Sequence, residues 1–321
     1  MHRNGLLLIL FCLSPLICGA EPVLMDKVHF LIPAGPGGGW DGTARGVGEA
    51  LVKSGLVTDV RFENLSGGGG GRAIAKLIET ASRQQHTLLI SSTPIVVRSL
   101  QGIFPQSFRD LEVIASVIAD YTAIAVRKDS PIATFGDLAA RFRQDPRSVK
   151  FAGGSVRGST DHFIAARALQ LTGADPKRVV YVPYDGGGKA MAGLLTAETQ
   201  VLSSGLSEML EMHRAGEIRI IGITAPNRIP EANDIPTLVE QDVDLVFGNW
   251  RGFFAAKGLP ESRYQEMIST VEQVAKTEQF QEIRRRNGWS ELQLSGDAFY
   301  GYLVKQEKEI GALLRELGYL K

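Results

Sequence analysis

Four glycine-rich loops, each between a β-like run and a helical pattern, restrict the fold of this chain more than any other feature. They occupy residues 33–42, 64–71, 153–161 and 184–188. Repeated strand–loop–helix units of this kind form parallel sheets that are covered by helices. Two of the loops fall in the first part of the chain and two in the second. The sequence therefore predicts an α/β protein with two lobes.

The strand and helix candidates follow the same alternation. Strands are predicted at residues 28–32, 57–62, 87–91, 113–118, 123–127, 149–152, 179–182, 200–204 and 218–224. Apolar residues at helical spacing predict helices between several of them, for example at Ile74, Leu77, Ile78 and Ala81. Residues 257–321 have a largely helical pattern and are expected to pack back on the first lobe.

The chain is expected to cross between the lobes twice, near residues 121–131 and near 249–256. Lobe 1 would then comprise residues 21–122 and 251–321, and lobe 2 residues 123–250. Two crossover strands between lobes form a hinge arrangement.

The N-terminus has the pattern of a secretory signal. Arg3 precedes an apolar core, and small residues end it at Ala20, after which we expect cleavage. The apolar stretch of about 12 residues is too short for a membrane span of about 20, which makes an uncleaved anchor the weaker interpretation. Lipidation at Cys18 is a minor alternative. Since Cys12 and Cys18 are the only cysteines, the mature exported protein would have neither disulfides nor a thiolate site.

The charge balance excludes one broad class of partner. Lysine plus arginine equals aspartate plus glutamate, at 35 each. Nucleic-acid-binding proteins usually have a basic excess, so no nucleic-acid partner is expected.

The positions of the glycine loops predict a small anionic ligand. Ligands of parallel α/β sheets bind at the carboxyl ends of the strands. Glycine lets backbone N–H groups approach closely there, and helix N-termini add free donors and partial positive charge. Two such ends facing across a cleft would hold an anion by backbone and hydroxyl donors. The alternative interpretation is that the glycines only make tight turns.

A second hypothesis is an exported NAD-dependent enzyme. Residues 37–42 fit the pattern G-x-G-x-x-G, and Glu63 follows at the distance of a ribose-binding acid. The strand does not lead directly into the first of these glycines, which weakens the match. No acid–base pair stands out, and the histidines lack metal-ligand spacing. We therefore expect no catalysis, no cofactor and no metal.

Individual side chains near the loops admit two interpretations each. Asp41 either caps the first helix or orients a ligand. Trp40 is expected to line the cleft. Arg157 could pair with a carboxylate or be solvated, and the same choice holds, more weakly, for Arg72.

An ordered set of motifs spans the mature chain. It comprises Pro33-Ala34-Gly35-Pro36-Gly37-Gly38-Gly39-Trp40-Asp41, Asn64 before a glycine run, Gly153-Gly154-Ser155 with Gly158-Ser159 and His162, Tyr184-Asp185-Gly186-Gly187, and Trp250-Arg251-Gly252-Phe253. With the signal peptide, this set resembles the substrate-binding proteins of tripartite tricarboxylate transporters, the TctC/Bug family.

The resemblance implies a fold, a location and a function. The fold would be of the periplasmic binding protein type II kind, with two α/β lobes joined by two crossover strands around a ligand cleft. The protein would be a periplasmic monomer that captures a small carboxylate and delivers it to an ion-driven permease of one small and one large subunit. The form Gly-Gly-Gly-Trp-Asp is similar to the tricarboxylate branch, which implies citrate or a relative. Signalling to a membrane sensor kinase is the alternative role.

The resemblance also implies the ligand-binding residues. They are Gly38, Gly39, Trp40, Asp41, Ser92 and Thr93 in lobe 1, and Ser155, Gly158, Ser159, Thr160 and Asp185 in lobe 2.

Overall fold

The computed structural model describes residues 24–320, so the predicted signal segment lies outside the described residues. The strands are β1 (Met25–Ile32), β2 (Val57–Asn64), β3 (Thr87–Ser92), β4 (Leu111–Arg127), β5 (Lys150–Gly153), β6 (Val180–Pro183), β7 (Val201–Gly205), β8 (Ile218–Ile223), β9 (Gly248–Ala256) and β10 (Ser290–Ser295). The helices are α1 (Gly39–Lys53), α2 (Gly71–Glu79), α3 (Pro94–Leu100), α4 (Phe135–Gln144), α5 (Thr160–Leu171), α6 (Gly187–Leu195), α7 (Leu210–Arg214), α8 (Glu261–Lys276), α9 (Glu278–Arg286) and α10 (Gly296–Glu316).

The strands pair in the order β2-β1-β3-β9-β4-β7-β5-β6, and β8 and β10 also pair with β4. The pairs β1–β2, β1–β3, β5–β6 and β5–β7 are parallel, as expected. The pairings of β9 with β3 and β4, and of β4 with β7, β8 and β10, are antiparallel, so the expectation of purely parallel sheets is wrong. The reason is that strands crossing between lobes in opposite directions meet side by side.

β4 is a single strand of 17 residues, whereas the sequence predicts two strands at 113–118 and 123–127. Its first part pairs with β9 up to Tyr121, and its last part pairs with β7 and β8 from Thr122 onward. The buried polar residue Asp120 breaks the apolar pattern between the two segments, but it has partners across the fold and does not end the strand. The lobe boundaries at 122/123 and 250/251 remain a prediction.

The C-terminal region contains one strand that its largely helical pattern does not predict. β10 pairs antiparallel with β4, with an irregular register between Glu291 and Leu294. Ser116 stabilises this irregularity, because its hydroxyl donates to the Leu292 carbonyl over 2.8 Å and accepts from the Leu294 N–H over 3.0 Å. A short, half-buried strand of this kind has too little hydrophobic periodicity to be separated from a helix.

The apolar residues form three buried clusters. One lies between the β1–β3 sheet and helices α1, α8 and α9, another between β8 and α6 in lobe 2, and the largest extends from α2 and α3 through β9 to α5 and α10. This third cluster includes Trp250, which is fully buried on β9. Within residues 24–320, no helix is long and apolar enough to cross a membrane.

Candidate functional site

A cleft of about 390 Å³ lies where the carboxyl ends of β1 and β3 face those of β5, β6 and β7. Its lining includes eight of the predicted site residues: Gly38, Gly39, Trp40, Ser92, Ser155, Ser159, Thr160 and Asp185. Asp41, Thr93 and Gly158 adjoin it but do not line it. The volume suits a small molecule, and the position is the one that parallel α/β sheets use for ligands.

The wall on the lobe 1 side is the N-terminal end of α1. Gly38 precedes the helix, and Gly39 and Trp40 form its first turn. The indole Nε1 of Trp40 donates to the Ser92 hydroxyl over 2.9 Å, which leaves the Ser92 proton free to donate toward the cleft. Glycine is required at position 39, because a Cβ there would collide with the guanidinium of Arg251. This wall therefore presents hydrogen-bond donors and the positive end of a helix.

Asp41 is buried behind this wall. Its carboxylate accepts hydrogen bonds from the Gly37 N–H over 3.0 Å, the Arg45 guanidinium over 2.9 Å and the Asn64 amide over 2.9 Å. Burial raises the pKa of Asp41, but these hydrogen bonds outweigh it and hold the pKa below its ordinary value. The carboxylate thus anchors the glycine loop from inside the first turn of α1, and the N-cap position itself is occupied by Gly38 without a side-chain cap. A role of Asp41 in orienting a ligand stays a prediction.

The wall on the lobe 2 side is the N-terminal end of α5. Ser155, Ser159 and Thr160 line the cleft there. Ser159 and Thr160 are almost completely buried, yet neither hydroxyl has a hydrogen-bond partner among the described residues. Buried hydroxyl groups are rarely left without a partner, and exceptions concentrate at functional sites.

Gly158 and Thr93 support the walls from behind. Gly158 has a left-handed φ of 79°, and its N–H donates to Nδ1 of His162 over 3.0 Å. The N–H of Thr93 donates to the Asn249 side chain over 3.3 Å. Arg157 is exposed and donates to the Tyr181 carbonyl over 2.6 Å. Arg72 is exposed outside the cleft, so neither arginine lines the site.

Two acidic residues of lobe 2 that the sequence does not single out as ligand-binding also face the cleft. Asp161 lies in the first turn of α5 and is 9% exposed. Burial raises the pKa of Asp161 to about 7, the nearby carboxylate of Glu208 adds to the rise, and hydrogen bonds from Ser155 and the Gly154 backbone oppose it. Glu208 follows β7 and accepts from the Ser204 hydroxyl and, over 3.2 Å, from the Gly205 N–H. One sequence signal could have revealed Glu208. It follows the carboxyl end of a strand, β7, as the four glycine-rich loops follow theirs.

Arg251 is the one arginine or lysine among the residues that line the cleft, and it is already paired. It is 3% exposed, and its Nη2 donates to the Asp120 carboxylate over 2.6 Å. Its Nη1 donates to the Gly39 carbonyl over 2.9 Å and to the Thr43 hydroxyl over 2.8 Å. Arg251 therefore ties both crossover strands to α1, and its charge is balanced by Asp120 rather than directed at the cleft.

Contacts between the rims hold the two walls close together. The Ser66 hydroxyl donates to the exposed carboxylate of Asp185 over 2.7 Å, and the Gln101 amide donates to the Gly158 carbonyl over 2.9 Å.

His162 of α5 lies 3.0 Å from the hydroxyl of Tyr319. Burial, with a smaller contribution from Arg157, lowers the pKa of His162 to about 4, so this buried contact is made by a neutral imidazole at neutral pH.

The residues behind the NAD hypothesis do not assemble a ribose site. Glu63 forms an ion pair with Lys76 at 2.5 Å and lies 3.5 Å from His29, away from the cleft lining. Within the described part of the chain, there is also no cluster of three or more acidic, histidine or cysteine side chains that could hold a metal ion.

Comparisons with known proteins agree with this geometry. The UPF0065 protein in the tcbD-tcbE intergenic region of Pseudomonas sp. strain P51 is 27% identical over 248 residues, which cover 76% of this chain and 72% of that protein. Among solved structures, the periplasmic binding protein BugD superposes with a TM-score of 0.82 at 21% identity, covering 91% of this chain and 97% of BugD. Rpa4515 of R. palustris, solved with adipate, superposes with a TM-score of 0.82 at 22% identity over 91% of this chain and 97% of that chain.

These neighbours confirm the predicted α/β fold with two lobes, which is a fold of periplasmic binding proteins. The model of the tripartite tricarboxylate transporter family receptor matches residues 43–319, and the chain belongs to that family.

Proposed function

We propose that this chain captures a small carboxylate in the cleft between its lobes and delivers it to the membrane permease of a tripartite transporter. The observation that carries the proposal is the pair of buried hydroxyls of Ser159 and Thr160, which line the cleft without a partner among the described residues. Together with the N-terminal ends of α1 and α5, they form a set of neutral donors that matches a carboxylate. The family membership supports both the ligand class and the permease partner.

The identity of the carboxylate is a finer question. The resemblance to the tricarboxylate branch predicts citrate or a relative. The structural neighbour Rpa4515 was solved with adipate, a dicarboxylate, which makes a dicarboxylate the competing candidate. A ligand panel must therefore contain monocarboxylates, dicarboxylates and tricarboxylates.

The first experiment is a thermal-shift series followed by calorimetry on the purified chain, freed of bound ligand by unfolding and refolding. A bound carboxylate at 100 times its Kd adds about 2.7 kcal/mol of stability. Replacing Ser159 by Ala and Thr160 by Val removes only the two hydroxyls, and we expect the affinity to fall roughly tenfold per hydroxyl. Ser54→Ala is the matched control, because the Ser54 hydroxyl bonds only within the end of α1, to the Leu51 carbonyl.

If no carboxylate in the panel stabilises the chain, the proposed function is wrong. A stabilisation by NAD alone would instead support the enzyme hypothesis. Equal affinities in the hydroxyl variants and the wild type would remove the assignment of the two hydroxyls as ligand donors.

The proposal includes a closure of the lobes about β4 and β9, with the boundaries near residues 122 and 250. Ligand shifts such an equilibrium only by its preference for the closed form, which the permease can then recognise. Small-angle scattering tests this, and we expect a smaller radius of gyration with saturating ligand. Equal radii with and without ligand would contradict the closure.

Export is also part of the proposal, with cleavage after Ala20 and action in the periplasm as a monomer. Mass spectrometry of the periplasmic fraction is expected to find a chain that begins at Glu21. Loss of carboxylate uptake on deletion would support the transport role, whereas unchanged uptake with loss of a transcriptional response would favour a sensor kinase as partner.

A further inference from the structure

The charged groups around the cleft are distributed unequally. On the lobe 2 side, Asp161 and Glu208 both line the cleft, and the Glu208 carboxylate adds to the rise that burial causes in the pKa of Asp161. Neither forms an ion pair with any arginine, lysine or histidine among residues 24–320. The cation that lines the cleft, Arg251, is balanced by Asp120.

Glu208 occupies the place where a ligand carboxylate would otherwise meet lobe 2. A Cβ on Gly187, the first residue of α6, would collide with the Glu208 carboxylate. One oxygen of that carboxylate, Oε1, also lies 3.8 Å from where a Cβ on Gly38 would stand, on the opposite side of the cleft. The N-terminal end of α6 is therefore already covered by an acid of the protein, and a second carboxylate arriving there would be repelled.

The lobe 1 side has the opposite character. The first turn of α1 and the Ser92 hydroxyl offer donors, and Arg98 lies directly behind the loop that contains Gly69. Arg98 is 7% exposed and lies outside the cleft lining, and its Nη1 donates to the Gln101 side chain and to the Arg157 carbonyl, each over 3.4 Å. Among residues 24–320, its Nε has no hydrogen-bond partner and no carboxylate pairs with it. A buried guanidinium without an acid favours a carboxylate nearby.

The hydroxyls without partners are an independent indication that a ligand binds on the lobe 2 side of the cleft, beside Asp161 and Glu208. Ser159 and Thr160 adjoin Asp161 in the sequence and share its side of the cleft. A hydroxyl can donate to a carboxylate or accept from an ammonium, whereas Asp161 and Glu208, when ionised, can only accept.

We propose that the ligand is a zwitterion, whose carboxylate binds at the α1 side of the cleft and whose protonated nitrogen binds between Asp161 and Glu208. Amino acids and amino-alkanoates have this chemistry. This inference rests on the proposed function and narrows its ligand class. It also predicts, against the resemblance to the tricarboxylate branch, that a polyanion such as citrate binds weakly because one of its carboxylates would face two acids.

Calorimetry with matched ligand pairs tests the inference. The pairs are aspartate against succinate, glutamate against glutarate, and 6-aminohexanoate against adipate, with citrate and tricarballylate added and a chelator present throughout. We expect at least one ammonium-bearing member to bind at least 100-fold more tightly than its partner. If the tightest-binding dicarboxylate or tricarboxylate equals or exceeds the tightest ammonium-bearing ligand in affinity, the inference is overturned. The proposed function then still stands. Binding of no member of the panel overturns the inference, and the proposed function is then decided by the monocarboxylates of the thermal-shift series.

Substitutions then test whether the two acids cause the preference. In Glu208→Gln and Asp161→Asn, we expect the affinity ratio within a pair to fall at least tenfold, because ammonium binding weakens and dicarboxylate binding strengthens. A loss of both affinities in proportion would indicate structural damage, and an unchanged ratio in both variants would overturn the assignment. Glu211→Gln is the matched control, since Glu211 is an exposed acid on α7 close to Glu208 but outside the cleft lining.

Discussion

The two walls of the cleft are built from the same local motif, but the aspartate is paired with a cation in one wall and unpaired in the other. In each lobe a glycine-containing loop leads from a strand into a helix whose first turn contains an aspartate, Asp41 in α1 and Asp161 in α5. Asp41 lies behind its wall and is paired with Arg45 and Asn64. Asp161 faces the cleft and has no cation beside it among residues 24–320.

This difference teaches that the motif alone does not decide the role of its acid. A paired carboxylate stabilises its loop, and the lowered pKa of Asp41 corresponds to a gain in folding free energy at neutral pH. A buried carboxylate without a cation costs folding free energy, and such costs persist mainly where a ligand requires them. Asp120 provides a third case, because it is fully buried and fully paired.

The largest effect is expected from breaking the fully paired acid. Asp120→Ala leaves the guanidinium of Arg251 buried without its counter-charge, and we expect a loss of about 3–5 kcal/mol in the free energy of unfolding. Denaturant titration measures it. The double variant Asp120→Ala with Arg251→Met removes both charges and is expected to recover part of the loss; a double variant no more stable than the single one would show that the ion pair is not the cause.

Removing the unpaired acid is expected to have the opposite sign. The folded pKa of Asp161, about 7, lies above the value of about 3.9 in an unfolded chain. Ionisation of Asp161 therefore costs stability as the pH rises from about 4 to 7. Asp161→Asn avoids this cost, and we expect the ligand-free variant to be more stable by on the order of 3 kcal/mol at pH 8.

The gain from Asp161→Asn is expected to shrink as the pH falls and to approach zero below about pH 4, where the wild-type carboxyl becomes protonated in the unfolded state as well as in the folded one. Denaturant titrations at pH 4, 6 and 8 measure the profile. A variant that is less stable than the wild type at pH 8 would contradict the view that Asp161 is an uncompensated charge.

The paired acid of lobe 1 is expected to show a smaller effect of opposite direction. Asp41→Asn loses the charge that Arg45 and the Gly37 N–H recognise, and we expect a loss of about 1 kcal/mol at pH 7. Since the folded pKa of Asp41 is lowered, this contribution is present at neutral pH and disappears as the pH falls below the ordinary carboxyl range. The same titration series serves as the measurement, and opposite pH profiles for Asp41→Asn and Asp161→Asn would confirm the contrast between the walls.

The smallest effect is expected at the exposed acid of the rim. Asp185 lies 3.6 Å from Lys189 and accepts from Ser66, but both charged side chains are largely solvated. Asp185→Asn is therefore expected to change the unfolding free energy by less than about 0.5 kcal/mol. A change above 1 kcal/mol would contradict the view that a solvated acid contributes little to stability, in contrast to the three buried acids.

Much of this site was accessible from the sequence. The order of strands and glycine loops predicts the α/β fold and a ligand site at the carboxyl ends of the strands. The family resemblance adds the individual residues, of which Gly38, Gly39, Trp40, Ser92, Ser155, Ser159, Thr160 and Asp185 line the cleft. These predictions succeed because glycine runs and hydrophobic periodicity are local properties, and because parallel topology brings such ends together. Ligand binding by these residues remains a prediction.

The tertiary structure decided the charge contacts between distant parts of the chain. The partners Arg251 and Asp120 are 131 residues apart in the chain, and Glu208 meets Asp161 from a different strand end. The local sequence separates the two aspartates in one respect: Arg45 follows Asp41 at the i+4 spacing of a helical ion pair, whereas Ala165 stands at that spacing after Asp161. The sequence by itself determined where the loops stand, because backbone preference is local, but the partner of a charge depends on which distant segment the fold brings beside it.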